Sequence, residues 1–551
     1  MLPNGQVTDD PPPARSNDDT DARARFDPRT AVICGLFALL YVAARLWRLT
    51  TECLWFDEIF SVHAARHHGW ADMLGFVKAD LVHPPLFYVL LKLWLALGGE
   101  SLLWLRLLPA LAACAAVVPL LSLCRELRLT AVETNLALAL CAVNGYLIHY
   151  AQTVRMYSLL NLLALCSLWL FARLCRVEDD RRMTATALLF TVNLLLVYTH
   201  YFGWLIVGAE LVFLLVWRRH VLTVFVTAHA LVLLCFLPWA IAVAREAAGG
   251  DGDPKLAQNI GWAARPGLSA LARFFITLNE PFFFREALYA ASAGRTALWS
   301  AFYFALFGVP ILLWLARSTS RRIGSVDIEE EKRNGRWLGM FVFMSVAGAF
   351  VLSLILPHSV WGVRHLVFVA TPFLMLVAVA VMRLRPKWLR TALLCVFAGW
   401  AVIAAASLAL RRNAPHIWCA WDELAPRLAR AESSRTSEIK IYAFEDLTAY
   451  HLWFALDTLR EQRFRIVTIK DIPGLIEDPA YFLPRRFDEV SRGDPAAVQE
   501  ERFWLAYRDA SFNPDRQPLK TFLAMGYQAG APLKVEARGL TAFLVPLQRK
   551  P

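Results

Sequence analysis

The chain has 551 residues, of which 57% are hydrophobic and only 19% charged, with a formal net charge of +11. A soluble globular chain carries more charge, about a quarter of its residues, so a soluble protein is excluded at the outset. The Lys and Arg residues gather in short segments between apolar runs, as the positive-inside bias distributes them, so the charge reports topology and no nucleic-acid partner is expected.

Residues 1–30 are rich in Asp, Pro and Arg and lack an apolar core, which reads as a disordered cytoplasmic tail. A first span is expected near 31–49. Arg15, Arg23, Arg25 and Arg29 precede it, which puts its start on the cytoplasmic side and the next loop outside. That loop opens with Leu54-Trp55-Phe56-Asp57-Glu58-Ile59-Phe60-Ser61, and residues 52–82 alternate aromatic and polar side chains like interfacial helices. His83-Pro84-Pro85-Leu86-Phe87-Tyr88 follows. The run 83–98 is apolar but barely long enough to span. Read as a juxtamembrane or re-entrant helix, it leaves Arg125/Arg128, Arg173/Arg176/Arg181/Arg182, Arg218/Arg219, the basic run 317–336 and Arg383/Arg385/Lys387/Arg390 on the cytoplasmic side. Read as a full span, it would invert every one of them.

The fold class expected is therefore a polytopic α-helical membrane protein of about eleven spans. They fall near 31–49, 102–123, 131–149, 156–175, 184–200, 203–217, 221–243, 296–316, 337–356, 365–382 and 391–410. Extracytoplasmic juxtamembrane helices lie in an outer loop at 50–100, and a second long outer loop at 244–295 carries Gly249-Gly250-Asp251-Gly252-Asp253-Pro254 and Asn279-Glu280-Pro281-Phe282-Phe283-Phe284. Residues 411–551 turn polar. Strand-like runs at 439–444, 465–469, 502–507 and 542–546 and a helical run at 447–461 predict a small extracytoplasmic α/β domain without a catalytic motif. Of ten cysteines, most (Cys34, Cys114, Cys141, Cys166, Cys235, Cys395) sit inside apolar runs as small hydrophobes. There is no CxxC, so neither a zinc site nor a disulfide framework is expected.

The short outer loops hold the chemistry. Asp57 and Glu58 are either a solvated pair beyond a span or a general base and its support in a dry cleft, where burial tunes a carboxylate. Adjacent residues point different ways, so one faces the reaction and the other anchors the loop. Arg155 and Arg364 stand in outer loops against the orientation bias. Each either snorkels to a headgroup or joins a pair of guanidiniums gripping a phosphate. His83 either adds a donor to that phosphate or marks, with its prolines, where a helix begins. His149, His200 and His365 share a depth that raises a metal, but no H-x-x-x-H spacing supports one, and no metal site is assigned. Tyr157 and Tyr201 read as aromatic-belt residues or as lining of a substrate cleft, with His365 beside them.

In order, these motifs are Trp-Phe-Asp-Glu, His-Pro-Pro-Leu-Phe-Tyr, Arg106-Leu107-Leu108-Pro109, Gln152-Thr153-Val154-Arg155-Met156-Tyr157, Tyr198-Thr199-His200-Tyr201-Phe202-Gly203 and Val363-Arg364-His365-Leu366. Together they resemble the dolichyl-phosphate-mannose protein mannosyltransferase-like superfamily of GT-C membrane glycosyltransferases, including its aminoarabinose-transferase-like and Rgt-like bacterial branches. The resemblance covers about 31–410. It implies an inverting transfer of a sugar from a polyprenyl-phosphate donor to an envelope glycan, lipid or protein, on the outer side of the cytoplasmic membrane. It implies Asp57 as catalytic base, Glu58 as supporting carboxylate, and His83, Arg155 and Arg364 at the donor phosphate, and it leaves a divalent cation open. Two departures stand out: His83 occupies a position that is Lys in some relatives, and Val363-Arg364-His365 replaces the commoner Arg-Tyr pair. The rival class is a flippase for a lipid-linked sugar. Such transporters carry ionisable groups near mid-span and repeated halves, whereas here the ionisable groups cluster at one face and no repeat is visible.

Overall fold

The computed structural model describes residues 27–176, 179–217, 222–249, 263–282, 293–320, 326–410, 415–472 and 481–550. The expected tail therefore lies outside the described residues as far as residue 26, as do the basic pair 218–219 and the loop pieces 250–254 and 283–284. The first helix, α1 (Pro28–Leu46), starts where its sequence says it should. Pro28 opens it, where no N–H is needed, and the Asp27 carboxylate accepts the Thr30 N–H at 2.8 Å.

Among the described residues, eight helices are long and apolar enough to cross a membrane. They are Pro28–Leu46, Leu102–Glu126, Tyr157–Leu174, Phe225–Ala248, Ala297–Arg317, Gly335–Ile355, Val363–Met382 and Lys387–Leu410. The other three expected spans are also apolar helices, but shorter: Ala131–Val143, Met183–Thr199 and Gly203–Trp217. The first of these is cut where Asn144 leaves the helical conformation and caps a new short helix, Gly145–Ala151, by accepting the Leu147 N–H at 2.9 Å. The break has a tertiary cause. Gly145 donates its N–H to the Glu280 carbonyl at 2.8 Å, and a Cβ at Gly145 would lie 2.9 Å from that oxygen, so a side chain there would push the two segments apart. The outer helices expose Leu36, Leu39, Val402, Ile403 and Leu410, while Val363–Met382 is almost wholly buried at the centre. Apolar side chains facing outward all round a bundle fit lipid as the surrounding solvent. The molecule is a polytopic α-helical membrane protein.

Three short helices lie between the first two long ones: α2 (Phe56–Arg66), α3 (Trp70–Asp80) and α4 (Leu86–Gly98). At 13 residues, α4 reaches about 20 Å, short of a hydrocarbon core of about 30 Å. Its start is set by Pro85 at the N-cap position. Its far end is pinned by Trp94 and Trp104, whose rings stack at 4.3 Å and exchange indole N–H bonds with each other's carbonyl at 2.7 and 2.8 Å.

The C-terminal part is a seven-stranded sheet. Its strands are β1 (Ile439–Phe444), β2 (Phe464–Ile469), β3 (Ser491–Arg492), β4 (Arg502–Asp509), β5 (Tyr527–Ala529), β6 (Leu533–Ala537) and β7 (Leu540–Arg549). The order is β3-β2-β1-β4-β7-β5, with β6 also on β7. The β3, β2, β1 and β4 pairings are parallel, and β7 runs antiparallel to its neighbours. The helix Asp446–Thr458 crosses from β1 to β2 and lays Tyr450 and Trp453 against α2, with ring centroids 5.1 Å from Phe56 and 5.0 Å from His63.

One expectation is corrected here. Cys53 and Cys419 form a disulfide, with Cα atoms 5.3 Å apart and a sequence separation of 366. A pair this far apart has no spacing signature, so only the fold could bring it to view.

Candidate active site

Asp57 and Glu58 occupy the first turn of α2, where carboxylates favour the positive end of the helix dipole. One residue of helical rotation then separates their fates. Glu58 is 3% exposed and turns inward: it accepts the Trp55 N–H at 2.8 Å and the Val154 N–H at 2.7 Å, and lies 3.7 Å from the Arg106 guanidinium. It does not line the cavity beside it; it ties the start of α2 to the segment that carries Arg155. Asp57 faces that cavity.

The cavity holds about 120 Å³. That is small beside ligand pockets of about 300–1,000 Å³, and suits a headgroup, not a whole lipid. Its polar lining is Asp57, Asp80, His83, Arg155 and Arg364, contributed by α2, the end of α3, the turn before α4, the segment before helix Tyr157–Leu174, and the turn before helix Ala370–Met382. Phe56 and Phe60 from α2, and Tyr481, Phe482 and Pro484 from the C-terminal part, complete the wall.

Arg155 is buried and spread over four partners. Its guanidinium donates to the Asp57 carbonyl at 3.0 Å, the Ser61 hydroxyl at 3.1 Å and the Tyr88 hydroxyl at 3.3 Å, and lies 3.2 Å from His83 Nδ1. Arg364 forms an ion pair with the Asp57 carboxylate. Burial alone would raise the Asp57 carboxyl; Arg364, then Arg155, outweigh it and hold the group below the usual carboxylate range. His83 is pressed the other way for an imidazole: burial first, then Arg155, keep it far below its ordinary value, so it is neutral. The backbone that positions Arg364 is fastened by the Tyr146 hydroxyl, which donates to the Val363 carbonyl.

Asp57, His83, Arg155 and Arg364 thus share one cavity. Tyr157, Tyr201 and His365 do not line it. Tyr157 is buried behind it, edge-on to Tyr150 at 4.7 Å. The Tyr201 hydroxyl accepts the Trp239 indole N–H at 3.2 Å, and His365 Nδ1 lies 3.4 Å from the Val360 carbonyl. Sequence reasoning passed over Asp80 and Tyr481. Asp80 ends an amphipathic helix and looks like any solvated cap, and Tyr481 lies in a part of the chain without a motif.

Among the described residues, His83, His200 and His365 bring three ring nitrogens within 4.8 Å of one another. Their proton arrangement does not suit a cation. The Phe202 N–H donates to His200 Nδ1 at 3.0 Å, so neutral His200 carries its proton on Nε2 and offers a donor there, not a lone pair. The Arg155 guanidinium, which can only donate, already faces the His83 ring, 3.2 Å from Nδ1 and 3.4 Å from Nε2. A tetrahedral zinc, at about 2.0–2.1 Å from each nitrogen, also needs them roughly 3.4 Å apart. The three rings pack against one another at the cavity, with centroids 5.0–6.4 Å apart.

The chain is similar to solved structures of ArnT from Cupriavidus metallidurans. With ArnT bound to undecaprenyl phosphate, the TM-score is 0.52 at 15% identity, over 94% of this chain and 98% of that one. With apo ArnT the TM-score is again 0.52 at 15% identity, over 94% and 97%. The apo oligosaccharyltransferase of Archaeoglobus fulgidus aligns at a TM-score of 0.47 and 13% identity, over 79% of this chain and 64% of that one. No family model matches the chain, and no curated protein does. The ArnT likeness establishes the fold, which is the GT-C fold.

Proposed function

We propose that this protein is an inverting glycosyltransferase. It moves a sugar from a polyprenyl-phosphate donor to an envelope glycan, lipid or protein at the outer face of the cytoplasmic membrane. The observation that carries the reading is convergence: an ionised carboxylate, two guanidiniums and a neutral imidazole reach one headgroup-sized cavity from separate elements beside a helical bundle. The GT-C fold, and an ArnT structure that holds undecaprenyl phosphate, support the donor class.

Residues 31–410 form the catalytic module, and 411–551 an extracytoplasmic domain that walls the cavity. Arg155, Arg364 and His83 hold the donor phosphate, and preorganised cations at a leaving phosphate are the largest electrostatic contribution to such a step. Asp57 takes the proton of the acceptor hydroxyl as that oxygen attacks the sugar from the face opposite the phosphate. Arg364 is shared: it pairs with Asp57 when no phosphate competes, so donor binding draws it away and frees the base. Donor therefore binds before acceptor.

The test uses membranes from cells lacking the protein as acceptor, with purified protein and labelled polyprenyl-phosphate sugars. Asp57→Asn is expected to lower transfer by about 10²–10⁴-fold, the usual worth of a general base. An Asp57→Asn protein that transfers at the wild-type rate rejects the base. Tight lipid binding with no transfer by the wild type would point to a flippase.

A further inference from the structure

The reaction proposed above sends the acceptor proton to Asp57 and names no proton source for the leaving phosphate. A lipid phosphate that leaves as a dianion collects a second negative charge in a small cavity. A group that supplies a proton to it must line the cavity and must hold a proton beforehand. The guanidiniums of Arg155 and Arg364 do not release theirs. His83 is neutral and faces Arg155 with a lone pair. Asp57 is ionised. Asp80 remains.

The chain presents Asp80 deliberately. It is the last residue of α3, so its carboxyl stands at the negative end of a helix dipole, which disfavours the charged form. The next residue, Leu81, takes a left-handed conformation with φ of 63°, a costly conformation for a leucine. That reversal folds Val82 and His83 back, so that Asp80 lies 3.9 Å from His83 Nδ1 and both line the cavity. The C-terminal domain braces the same turn: Arg485 donates to the Ala79 carbonyl at 2.9 Å. Lys78, on the same helix, is engaged elsewhere, 3.1 Å from Glu246.

We propose that Asp80 is a second catalytic carboxyl, the proton donor to the departing phosphate oxygen. The inference rests on the transferase reading. The bond from the acceptor oxygen to the anomeric carbon forms as the carbon–oxygen bond to phosphate breaks. The breaking pair goes to the phosphate oxygen, which takes the Asp80 proton, and the acceptor proton goes to Asp57. The products are the glycosylated acceptor and a lipid phosphate monoanion, and exchange with water restores both carboxyls.

Burial pushes the Asp80 carboxyl up to about 7, against the pull of Arg155 and with the push of Asp57. Arg364 and Arg485 also face it and pull it down. The phenols of Tyr88, Tyr201 and Tyr450 lie within its field. Two carboxyls in one site with values driven apart is the pattern of an acid and a base. Asp80 holds its proton below about pH 7 and loses it above, so transfer falls on the alkaline side.

The test is the pH profile of transfer for wild type, Asp80→Asn and Tyr481→Phe, with a phosphate donor and a phosphorothioate donor whose leaving group is more acidic. Asp80→Asn is expected to lower kcat by roughly 10²-fold, to abolish the alkaline limb, and to recover most of the loss with the phosphorothioate. If Asp80→Asn keeps the wild-type rate and limb, or if Tyr481→Phe removes the limb instead, the assignment is overturned. If Asp80→Asn does not accumulate in membranes, the wild type alone decides. A limb flattened by the phosphorothioate supports the acid, and an identical limb with both donors overturns it. No transfer by wild type with either donor rejects the transferase reading itself.

Discussion

Asp57 and Glu58 show how one residue of rotation on a helix divides two identical functional groups, one to a cavity wall and one to architecture. Glu58 spends both oxygens on backbone N–H groups and has Arg106 behind it. Glu58→Ala would leave two backbone N–H donors without an acceptor and the buried Arg106 guanidinium without its counter-charge. The expected result is a loss of about 3–5 kcal/mol of stability, read as a lower unfolding temperature in detergent, with donor KM in the surviving protein little changed. A variant as stable as wild type would reject the anchoring role. Much of this site was legible at the residue scale. Asp57, Arg155 and Arg364 announced themselves as charges in short outer loops, and His83 by its prolines. Asp80 did not, because its meaning lies in Leu81 turning the chain back beside His83, and no residue type encodes that turn. Tyr157 and Tyr201 do not line this cavity: they are common residues at membrane margins, and depth alone does not say which ones reach a cavity.

At the scale of elements, apolar length located the long helices well, because twenty-odd apolar residues have few other uses. It located the short ones poorly. Asn144 breaks an apolar run because of a contact with residue 280, which a local pattern does not contain. In the sheet, β1, β2 and β4 were legible from their hydrophobic runs, whereas β3, β5 and β6 are too short to carry a period. The bundle also holds a polar clasp between four helices. Glu210 accepts from the Ser167 hydroxyl at 2.7 Å and the Asn193 amide at 2.8 Å, and lies 3.0 Å from His229 Nε2. His229 Nδ1 in turn lies 2.7 Å from the Phe225 carbonyl. Polar groups inside a membrane bundle are satisfied by one another or not at all. Glu210→Ala is expected to destabilise the bundle by about 3 kcal/mol or more, whereas Glu210→Gln, which keeps an acceptor and adds a donor, should lose less. Thermal unfolding in detergent checks both, and equal losses would assign the effect to charge alone.

At the scale of the molecule, the C-terminal domain is built into the cavity instead of merely hanging beside it. Tyr481 packs edge-on to Trp55 at 4.9 Å, Arg486 pairs with Glu246 at 2.9 Å, and Cys419 is bonded to Cys53 just ahead of α2. Cys419→Ser is expected to lower stability by about 2–4 kcal/mol and to speed proteolytic release of the domain. Unchanged protease sensitivity would mean that the aromatic and ionic contacts suffice. The same bond carries a further consequence, for counting. Two sulfurs that are joined lie on one side of the membrane, so the chain between them crosses an even number of times. Among the described residues, seven of the eight long apolar helices fall between Cys53 and Cys419. Seven is odd, so if all seven cross, an odd number of the five shorter apolar helices, Leu268–Asn279 included, crosses with them. Adding Ala131–Val143, Met183–Thr199 and Gly203–Trp217 satisfies that arithmetic, and adding Leu86–Gly98 to those three would break it. A single covalent bond thus tests a topology that hydropathy could only suggest.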